Sequence, residues 1–346
     1  MEKNDFITLK SVATLKVNAD QRLFAASEQE IKSGLTTDIY FVRTRDLLEA
    51  MGLANTVVTA EIFSSRDGII AGIDESLHLL QSKNLEIWAL PEGGAMEAKE
   101  VVMRIRGQYR DFGIYETALL GILASSSAWA TAARSCKDAA GSKKVICYGA
   151  RHLHPAVAPV MERAAVIGGA DACSCVLGAA LLGRDPVGTV PHAAFLIAGD
   201  TVELSLAYDR FVDPDTPRII LVDTFKDEAE ESLRVAQALK DNLDGIRLDT
   251  PGERGGVTAG LVKEVRARLN QAGFNKVQIV VSGGLTPERI ISLAAAGADA
   301  FGVGSYISRE PAIDMTMDLK EVGDQPVAKR GRIPGISDNK KLQRIC

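Results

Sequence analysis

The chain has 346 residues, of which 46% are hydrophobic and 25% charged, and its formal net charge is −5. This balance is ordinary for a soluble globular protein and argues against a general nucleic-acid-binding role, and no run approaches the roughly 20 apolar residues of a membrane span. The N-terminal stretch MEKNDFITLK lacks the apolar core of a secretory signal, so we expect a cytoplasmic protein, built as two domains or as one barrel with additions.

The first part of the chain, to about Leu123, predicts an α/β or α+β domain. Residues 38–51 have a helical pattern, with Thr36 or Thr37 as the expected cap and Gly52 as the stop. The segments VVTAEIF, LEIWALPEG and AKEVVMRIRG predict three strands.

A different rhythm begins near Val145, where short apolar runs recur with helical stretches between most of them. The runs are KVICYGA, DACSCVLGA, HAAFLIAG, RIILVDT, GIRLDT, VQIVVSGG and DAFGVGS. This alternation predicts parallel βαβ units. Six or seven units favour a complete or incomplete barrel, with a doubly wound open sheet as the alternative, and either fold places active sites at the carboxyl ends of its strands.

The five cysteines are expected to be core thiols. They form no CxxC pair, and three lie in apolar, strand-like segments where a thiol behaves as a small hydrophobic group; the residues are Cys136, Cys147, Cys173, Cys175 and Cys346.

Two predicted strands end in a carboxylate followed by threonine, at Asp223 and at Asp249. A carboxylate on so rigid a mount suits Mg²⁺ or ribose hydroxyls, although it equally suits a cap for the next helix. Arg247 lies two residues before Asp249, inside the strand, where a charged side chain must find a partner.

Two further strand ends are rich in glycine, and a helix follows the first of them. Such loops let backbone N–H groups approach a phosphate closely, so the pair predicts a phosphate cradle, with tight turns as the alternative. The residues are Ser282, Gly283 and Gly284 in one loop and Gly302, Gly304 and Ser305 in the next.

Basic side chains stand at other points of the predicted barrel. Arg151, His152 and His154 follow one strand and suit a carboxylate or phosphate, or form a plain surface loop. His192, in GTVPHAAFL, is left open between a catalytic group and a structural one. The basic tail, residues 329–344, is a solvated segment or faces a phosphorylated ligand.

Nine motifs, taken in order, resemble those of the nicotinate phosphoribosyltransferases, which belong to the type II phosphoribosyltransferases. The resemblance covers about residues 34–335, and the motifs are TDIYF, YETALLGIL, GARHLHP, GTVPHA, VDTFKDE, IRLDTPG, VSGGL, GVGS and KRGRIPG. It implies an N-terminal α/β sandwich-like domain (1–123), an incomplete α/β barrel (124–308) and a tail (309–346) that packs toward the N-terminal domain. It also implies a homodimer or higher oligomer in which the TDIYF segment of one subunit reaches the barrel of its partner.

The same resemblance implies the reaction and the role of each residue. Nicotinate and 5-phosphoribosyl-1-pyrophosphate (PRPP) would give nicotinate mononucleotide and pyrophosphate, coupled to ATP hydrolysis through phosphorylation of His192. The two glycine-rich loops would hold the 5-phosphate, Asp249 the ribose hydroxyls or Mg²⁺, and Arg247 the pyrophosphate or the base-site anion. Tyr40 of the partner and Tyr148 would sandwich the pyridine ring, with Arg151 near the carboxylate or the PRPP phosphates.

Three other implied roles are less specific. Thr189 would offer its hydroxyl to phosphate near the base, and Asp223 and Asp227 would hold the Mg²⁺ of ATP. A cysteine-rich zinc module, present in some relatives, cannot form with only Cys346 beyond residue 175, so no zinc is expected. The alternatives are a nicotinamide or quinolinate phosphoribosyltransferase and a non-catalytic barrel that binds a phosphoribosyl ligand. Asp171, Cys173 and Ser174 do not settle which base is used.

Overall fold

The structure, a computed structural model, describes residues 7–18 and 22–345. The helices are α1 (Leu9–Thr14), α2 (Glu28–Lys32), α3 (Ile39–Ala50), α4 (Ile73–Leu80), α5 (Tyr109–Phe112), α6 (Glu116–Ala140), α7 (Ala158–Gly168), α8 (Val176–Ala180), α9 (His192–Ala198), α10 (Thr201–Phe211), α11 (Glu228–Leu239), α12 (Ala259–Gln271), α13 (Pro287–Ala295) and α14 (Ser305–Ser308). The strands are β1 (Val57–Ser64), β2 (Gly68–Ile69), β3 (Glu86–Ala89), β4 (Ala95–Met96), β5 (Val101–Gln108), β6 (Lys144–Cys147), β7 (Ala172–Cys173), β8 (Ile219–Leu221), β9 (Gly245–Leu248), β10 (Gln278–Ser282), β11 (Ala300–Val303), β12 (Met315–Val322), β13 (Gln325–Pro326) and β14 (Gln343–Arg344). Two units result: one contains the chain up to Thr131 and from Pro311 onward, and the other is Ala132–Glu310.

The first unit is built on a six-stranded sheet in the order β13-β12-β1-β5-β3-β14, with β2 and β4 forming a separate pair. The three predicted strands are present as β1, β3 and β5, and the C-terminal segment adds β12 against β1 and β14 against β3. The alternation in VVTAEIF predicts a half-buried strand, but β1 is buried on both faces, and even its Glu61 side chain is only 1% exposed. Arg104 on β5 compensates that carboxylate at 2.7 Å.

Helix α3 matches the helix predicted over residues 38–51, but the predicted cap is wrong. Its N-cap is Asp38, not Thr36 or Thr37, and Asp38 makes no side-chain cap bond. The Asp38 N–H instead donates to Oγ1 of Thr117 at 3.1 Å, and Thr37 Oγ1 lies 3.4 Å from the same atom. The segment before α3 is therefore tied to α6 rather than used to cap its own helix.

The second unit is a six-stranded sheet in the order β7-β6-β11-β10-β9-β8, with every neighbouring pair parallel. The first strand of this unit, β6, pairs with the last, β11, and β8 to β11 follow one another in sequence. This order is cyclic, with a single break between β7 and β8, as in an incomplete barrel. A doubly wound sheet would instead run outward from a central switch point.

The strand register brings the carboxyl ends of the second sheet to one edge. Cys147 pairs with Val303, Ser282 with Gly302, and Arg247 with both Leu221 and Val280. The loops that follow β6, β8, β9, β10 and β11 therefore emerge side by side. The polar residues that the sequence predicts at separate strand ends, such as Asp223, Asp249 and Ser282, therefore lie along one edge of the sheet.

The run HAAFLIAG is helix α9, not the predicted strand. Pro191 is its N-cap, Gly199 ends it with a φ of +85°, and the alanines and leucine between them favour helix. Leu196 and Ile197 are 63% and 87% exposed, whereas a barrel strand would bury both. The unit accordingly has six strands, the lower of the two predicted numbers.

The cysteines within the described residues carry free thiols. Cys136, Cys147 and Cys173 are buried, and burial raises the pKa of Cys136 to about 12 and that of Cys173 to about 11. The prediction of a core thiol in a strand is wrong for Cys175, which is only partly buried and is the N-cap of α8, and Cys346 is outside the described residues. Among the helices of the described part, none is long and apolar enough to cross a membrane.

Candidate active site

Arg247 is the centre of the polar cluster at the carboxyl edge of the second sheet. Its Nε donates to Oγ of Ser282 at 2.8 Å, its Nη1 to Oγ1 of Thr189 at 2.9 Å, and its Nη2 to Oδ2 of Asp249 at 3.1 Å. The guanidinium carbon also lies 5.1 Å from the centre of the Tyr148 ring, within the range of a cation–π contact. The sequence predicts that Arg247 needs a partner, and the structure supplies four: Ser282, Thr189, Asp249 and the ring of Tyr148.

Asp249 is held on both of its oxygens. Oδ1 accepts from Oγ of Ser282 at 2.9 Å and Oδ2 accepts from Arg247. Gly283 sits beside this carboxylate with a φ of +93°, and a Cβ at that position would lie 3.0 Å from Oδ1. The first glycine of the SGG loop therefore provides both an unusual backbone conformation and space next to Asp249.

The two glycines of the other loop are required by Tyr148 and its neighbours. A Cβ on Gly302 would lie 2.4 Å from Cε2 of Tyr148, and one on Gly304 would lie 2.8 Å from the Tyr148 carbonyl oxygen. Ser305 begins the short helix α14 directly afterwards. Close packing against Tyr148 is thus an observed reason for glycine here, and the phosphate role stays a prediction.

Arg289 is a cation of this edge that sequence reasoning missed. Its Nη1 donates to the carbonyl oxygen of Gly284 at 2.9 Å and its Nη2 to that of Val257 at 3.0 Å. It therefore joins the SGG loop to the segment before α12. The sequence does place Arg289 in the first turn of α13, immediately after the SGG loop, and this position could have identified it.

Tyr148 and Arg151 follow β6 in the same loop. Tyr148 is half-buried, and burial raises the pKa of its hydroxyl, with Asp249 and Glu162 adding to the rise and Arg247 opposing it. Arg151 is exposed on a single 3-10 turn, and His152 beside it has its pKa lowered by burial and by the charges of Arg151 and Arg309. The loop therefore places an aromatic ring against Arg247 and carries an accessible cation three residues later.

His192 and Asp223 meet, although 30 residues separate them in the chain. Nε2 of His192 lies 3.2 Å from Oδ2 of Asp223, whose side chain is fully buried, while the imidazole is 41% exposed. The contact is within ion-pair range but poorly aligned, so neither Asp223 oxygen receives a well-formed hydrogen bond. Burial raises the pKa of Asp223, with Asp249 adding to the rise and His192 opposing it.

Asp227 has an observed role different from metal binding. Its Oδ1 accepts from the N–H groups of Ala229 and Glu230 at 3.0 and 3.2 Å, which caps α11. Within the described residues no group of three His, Cys, Asp or Glu side chains could hold a metal ion by itself. The unsatisfied, buried oxygens of Asp223 do suit a Mg²⁺ ion that takes its remaining ligands from water and substrate phosphates.

Tyr40 belongs to the first unit. It lies in the first turn of α3 with 53% of its surface exposed, and its ring centre is 4.2 Å from that of Phe41. Burial raises the pKa of the Tyr40 hydroxyl, and the charges of Asp38 and Glu116 add to the rise. The TDIYF segment thus presents an exposed aromatic ring beside two carboxyl groups.

Glu116, at the start of α6, should make stability depend on pH. Burial, supported by Asp318 and opposed by Lys329, raises the pKa of its carboxyl to about 7 from an ordinary value of 4.5. The folded state therefore binds this proton more tightly than the unfolded chain, so the unfolding free energy should fall as pH rises from 4.5 to 7 and then level off. We expect Glu116→Gln to remove this slope and to raise the melting temperature at pH 8 by at least about 2 °C, measured by thermal denaturation at a series of pH values.

The matched control for this experiment is Glu49→Gln on the exposed side of α3. It should leave the pH profile of the melting temperature unchanged. A Glu116→Gln profile that coincides with the wild type would contradict the shifted carboxyl.

The chain matches two family models that together cover most of its length. Residues 38–127 match the N-terminal domain of quinolinate phosphoribosyl transferase, and residues 129–318 match its C-terminal domain. A sequence relative is the nicotinate phosphoribosyltransferase pncB1 of Mycobacterium tuberculosis, 28% identical over 90% of this chain and 78% of that protein. Another is the probable nicotinate-nucleotide pyrophosphorylase (carboxylating) of Archaeoglobus fulgidus, 28% identical over 75% of this chain and 93% of that protein.

A crystal structure of nicotinate-nucleotide pyrophosphorylase from Pyrococcus furiosus is also similar. It superposes with a TM-score of 0.87, is 43% identical, and aligns with 91% of this chain and 82% of its own. These relatives thus carry the names of two different reactions.

Proposed function

Because the chain belongs to the quinolinate phosphoribosyltransferase family of type II phosphoribosyltransferases, we propose that it transfers the phosphoribosyl group of PRPP to nicotinate. The products are nicotinate mononucleotide and pyrophosphate, and ATP hydrolysis is coupled to the transfer through a phosphohistidine at His192. Membership of this family makes the chain a phosphoribosyltransferase of pyridine nucleotide synthesis.

The transfer itself needs positioning and charge rather than a base. The pyridine nitrogen attacks the anomeric carbon of PRPP, the bond from that carbon to the pyrophosphate oxygen breaks, and pyrophosphate leaves. Tyr148 stacks on the pyridine ring, which contributes about 0.5 to 1.5 kcal/mol beyond burial, and Arg151 pairs with the carboxylate. Arg247 faces the charge that develops on pyrophosphate, in a site arranged before the reaction begins.

The ribose and its phosphate are held by the remaining residues of the edge. Asp249, held in place by Ser282 and Arg247, accepts hydrogen bonds from the ribose hydroxyls. The loops Ser282–Gly284 and Gly302–Ser305 receive the 5-phosphate. Mg²⁺, with Asp223 and Asp249 as its protein ligands, would neutralise phosphate charge when bound.

The observation that carries ATP coupling is the pairing of His192 with Asp223. With Nε2 3.2 Å from the carboxylate, the negative charge favours the tautomer protonated at Nε2, and Nδ1 keeps its lone pair. Nδ1 attacks the γ-phosphorus of ATP, the bond to the ADP oxygen breaks, and ADP leaves. Thr189, three residues earlier and bonded to Arg247, links the phosphohistidine to the PRPP site.

Nicotinate is favoured over quinolinate by the loop that follows β7. A second carboxylate on the base calls for a second cation, but this loop carries the uncharged Ser174 and Cys175. The next basic residue, Arg184, has its Nη1 on the carbonyl oxygen of Asp171 at 3.3 Å. Quinolinate transfer remains the alternative, because the Pyrococcus furiosus structure that bears the pyrophosphorylase name is 43% identical to this chain.

We further propose that two copies of the chain share their active sites. The exposed ring of Tyr40 supports this, because an aromatic residue at an accessible helix start is free to stack on a base held by another subunit. In this arrangement Tyr40 of the partner subunit and Tyr148 enclose the pyridine ring.

Product analysis tests the proposed reaction. The purified protein is incubated with PRPP, Mg²⁺ and one of nicotinate, nicotinamide or quinolinate, each with and without ATP, and products are separated by chromatography. We expect nicotinate mononucleotide to form, faster with ATP, together with ADP and phosphate. Release of carbon dioxide from quinolinate without any need for ATP would establish the alternative instead, and the absence of any mononucleotide would favour a non-catalytic phosphoribosyl-binding barrel.

A further inference from the structure

Glu162 is a buried carboxylate of the second unit that lies outside the Arg247 cluster. It is on α7, its side chain has no exposed surface, and it accepts four close hydrogen bonds. Oε1 accepts from the N–H of Ala150 at 3.0 Å and from Oγ of Ser174 at 3.1 Å. Oε2 accepts from the N–H groups of Ser174 and Cys175 at 2.8 and 2.5 Å.

These donors come from two different strand-end loops. Ala150 follows β6, and Ser174 and Cys175 follow β7, the strand that pairs with β6 through Cys147 and Cys173. A single carboxylate thus accepts from backbone N–H groups in both loops, and it is the acceptor for those of Ala150 and Cys175, whereas the Ser174 N–H also donates to the carbonyl oxygen of Cys147 at 3.1 Å. Any change in its length or charge disturbs both loops together.

The first of these loops carries the side chains that the proposed function assigns to the base. Ala150 lies between Tyr148 and Arg151 in the chain, and Tyr148 itself is fixed by its N–H on the carbonyl oxygen of Val303 at 2.8 Å and by the space left at Gly302. The bond from Ala150 to Glu162 therefore sets the path of the backbone from the aromatic ring to the cation. The second loop carries the uncharged residues Ser174 and Cys175, whose N–H groups donate to the same carboxylate.

We propose that Glu162 is a positioning residue that holds the two loops of the pyridine pocket in register, so that Tyr148 and Arg151 meet the base together. The inference rests on the proposed function for the identity of the pocket. It concerns the alignment of the base and not the binding of PRPP, whose assigned groups lie at the carboxyl ends of β9, β10 and β11.

The test compares Glu162→Gln with Glu231→Gln. Glu231 is a matched control because its side chain is also fully buried on a helix of the same unit, but its partner is Arg234 at 2.6 Å rather than a strand-end loop. Glutamine at 162 keeps the size of the side chain, but turns an amide donor toward N–H groups that need an acceptor. We expect the KM for the base to rise at least about tenfold while the KM for PRPP changes less than about twofold.

A second measurement does not depend on activity. Hydrogen exchange read by mass spectrometry should show peptides covering residues 148–152 and 172–177 exchanging about tenfold faster in Glu162→Gln and unchanged in Glu231→Gln. Glu162→Asp, which keeps the charge but shortens its reach, should fall between the wild type and Glu162→Gln in both readouts. Equal effects of the 162 and 231 variants on KM and exchange would overturn the proposal, and so would failure of both 162 variants to fold, because a purely structural role would then suffice.

Failure of the proposed function would be recognised separately. If the wild type turns over quinolinate and not nicotinate, the KM comparison is made with quinolinate and the expectation for Glu162 is unchanged. If the wild type turns over no base, the pocket assignment fails, and hydrogen exchange alone reports whether Glu162 holds the two loops.

Discussion

We expect the His192→Ala variant to lose nicotinate-dependent ATP hydrolysis by at least about a thousandfold, because the substitution removes the nucleophile. Weak transfer from PRPP to nicotinate without ATP should persist, since the Arg247 cluster and the glycine-rich loops are untouched. ADP release gives the first activity, and nicotinate mononucleotide formed without ATP gives the second. The wild type incubated with ATP labelled at the γ-phosphate should also acquire an acid-labile label that the variant lacks.

His78→Ala is the matched control for this prediction, because His78 is an exposed histidine on α4 in the other unit. It should retain both activities and the label. Asp223→Asn gives a second check: an amide beside Nε2 no longer favours one tautomer, so labelling should slow while the fold remains. Unchanged ATP hydrolysis in His192→Ala would remove this histidine from the mechanism.

The proposed role of His192 shows how much of the site can be predicted from the sequence. The histidine could be picked out from the sequence only by its place among other motifs, since a single imidazole after proline fits a structural role equally well. Its contact with Asp223 depends on how the segment between β7 and β8 folds back over the sheet. The apolar pattern predicts a strand for HAAFLIAG in that segment, but the run is helix α9, which buries Phe195 and leaves Leu196 and Ile197 exposed.

The parallel strands were easier to predict than the contacts they support. A long apolar run followed by a polar residue identifies both a buried strand and its carboxyl end, so Asp223, Asp249 and the SGG loop could be placed at one edge in advance. The need of Arg247 for a partner was also evident from its position inside a strand. Which partners it has depends on the strand register, and register is not readable from one sequence.

Two roles could be found only in three dimensions. Gly302 and Gly304 were expected to make room for a phosphate, and the structure adds that they make room for Tyr148. Glu162 gave no signal, because one glutamate on an amphipathic helix is ordinarily a surface residue. Glu162 can be buried because backbone N–H groups of two loops donate to its carboxylate, and only the folded sheet brings these loops together.

Arg247→Ala should be the most damaging substitution in the site. It removes three hydrogen bonds, leaves Asp249 with one partner, and takes the cation from the face of Tyr148. If losing this cation costs about 3 to 5 kcal/mol of transition-state stabilisation, kcat/KM should fall at least about a hundredfold, and up to about 5,000-fold, in a PRPP-dependent assay. Arg247→Lys should recover only a small part of this loss, because an ammonium group cannot reach Ser282, Thr189 and Asp249 at once.

The same variant tests whether sites are shared between subunits. Tyr40→Ala should weaken base stacking in every site of its own homodimer, and Arg247→Ala should inactivate every site of its own. In a mixed dimer, the barrel of the Tyr40→Ala chain keeps Arg247 and receives an intact tyrosine from the other chain, so one site is complete and the other carries both defects. Random re-association of equal amounts makes half of the dimers mixed, so activity should reach about a quarter of the wild-type value, plus about a quarter of whatever activity the Tyr40→Ala homodimer retains. If instead each chain builds its site alone, the mixture shows only the average of the two separate variants, and the shared-site arrangement is wrong.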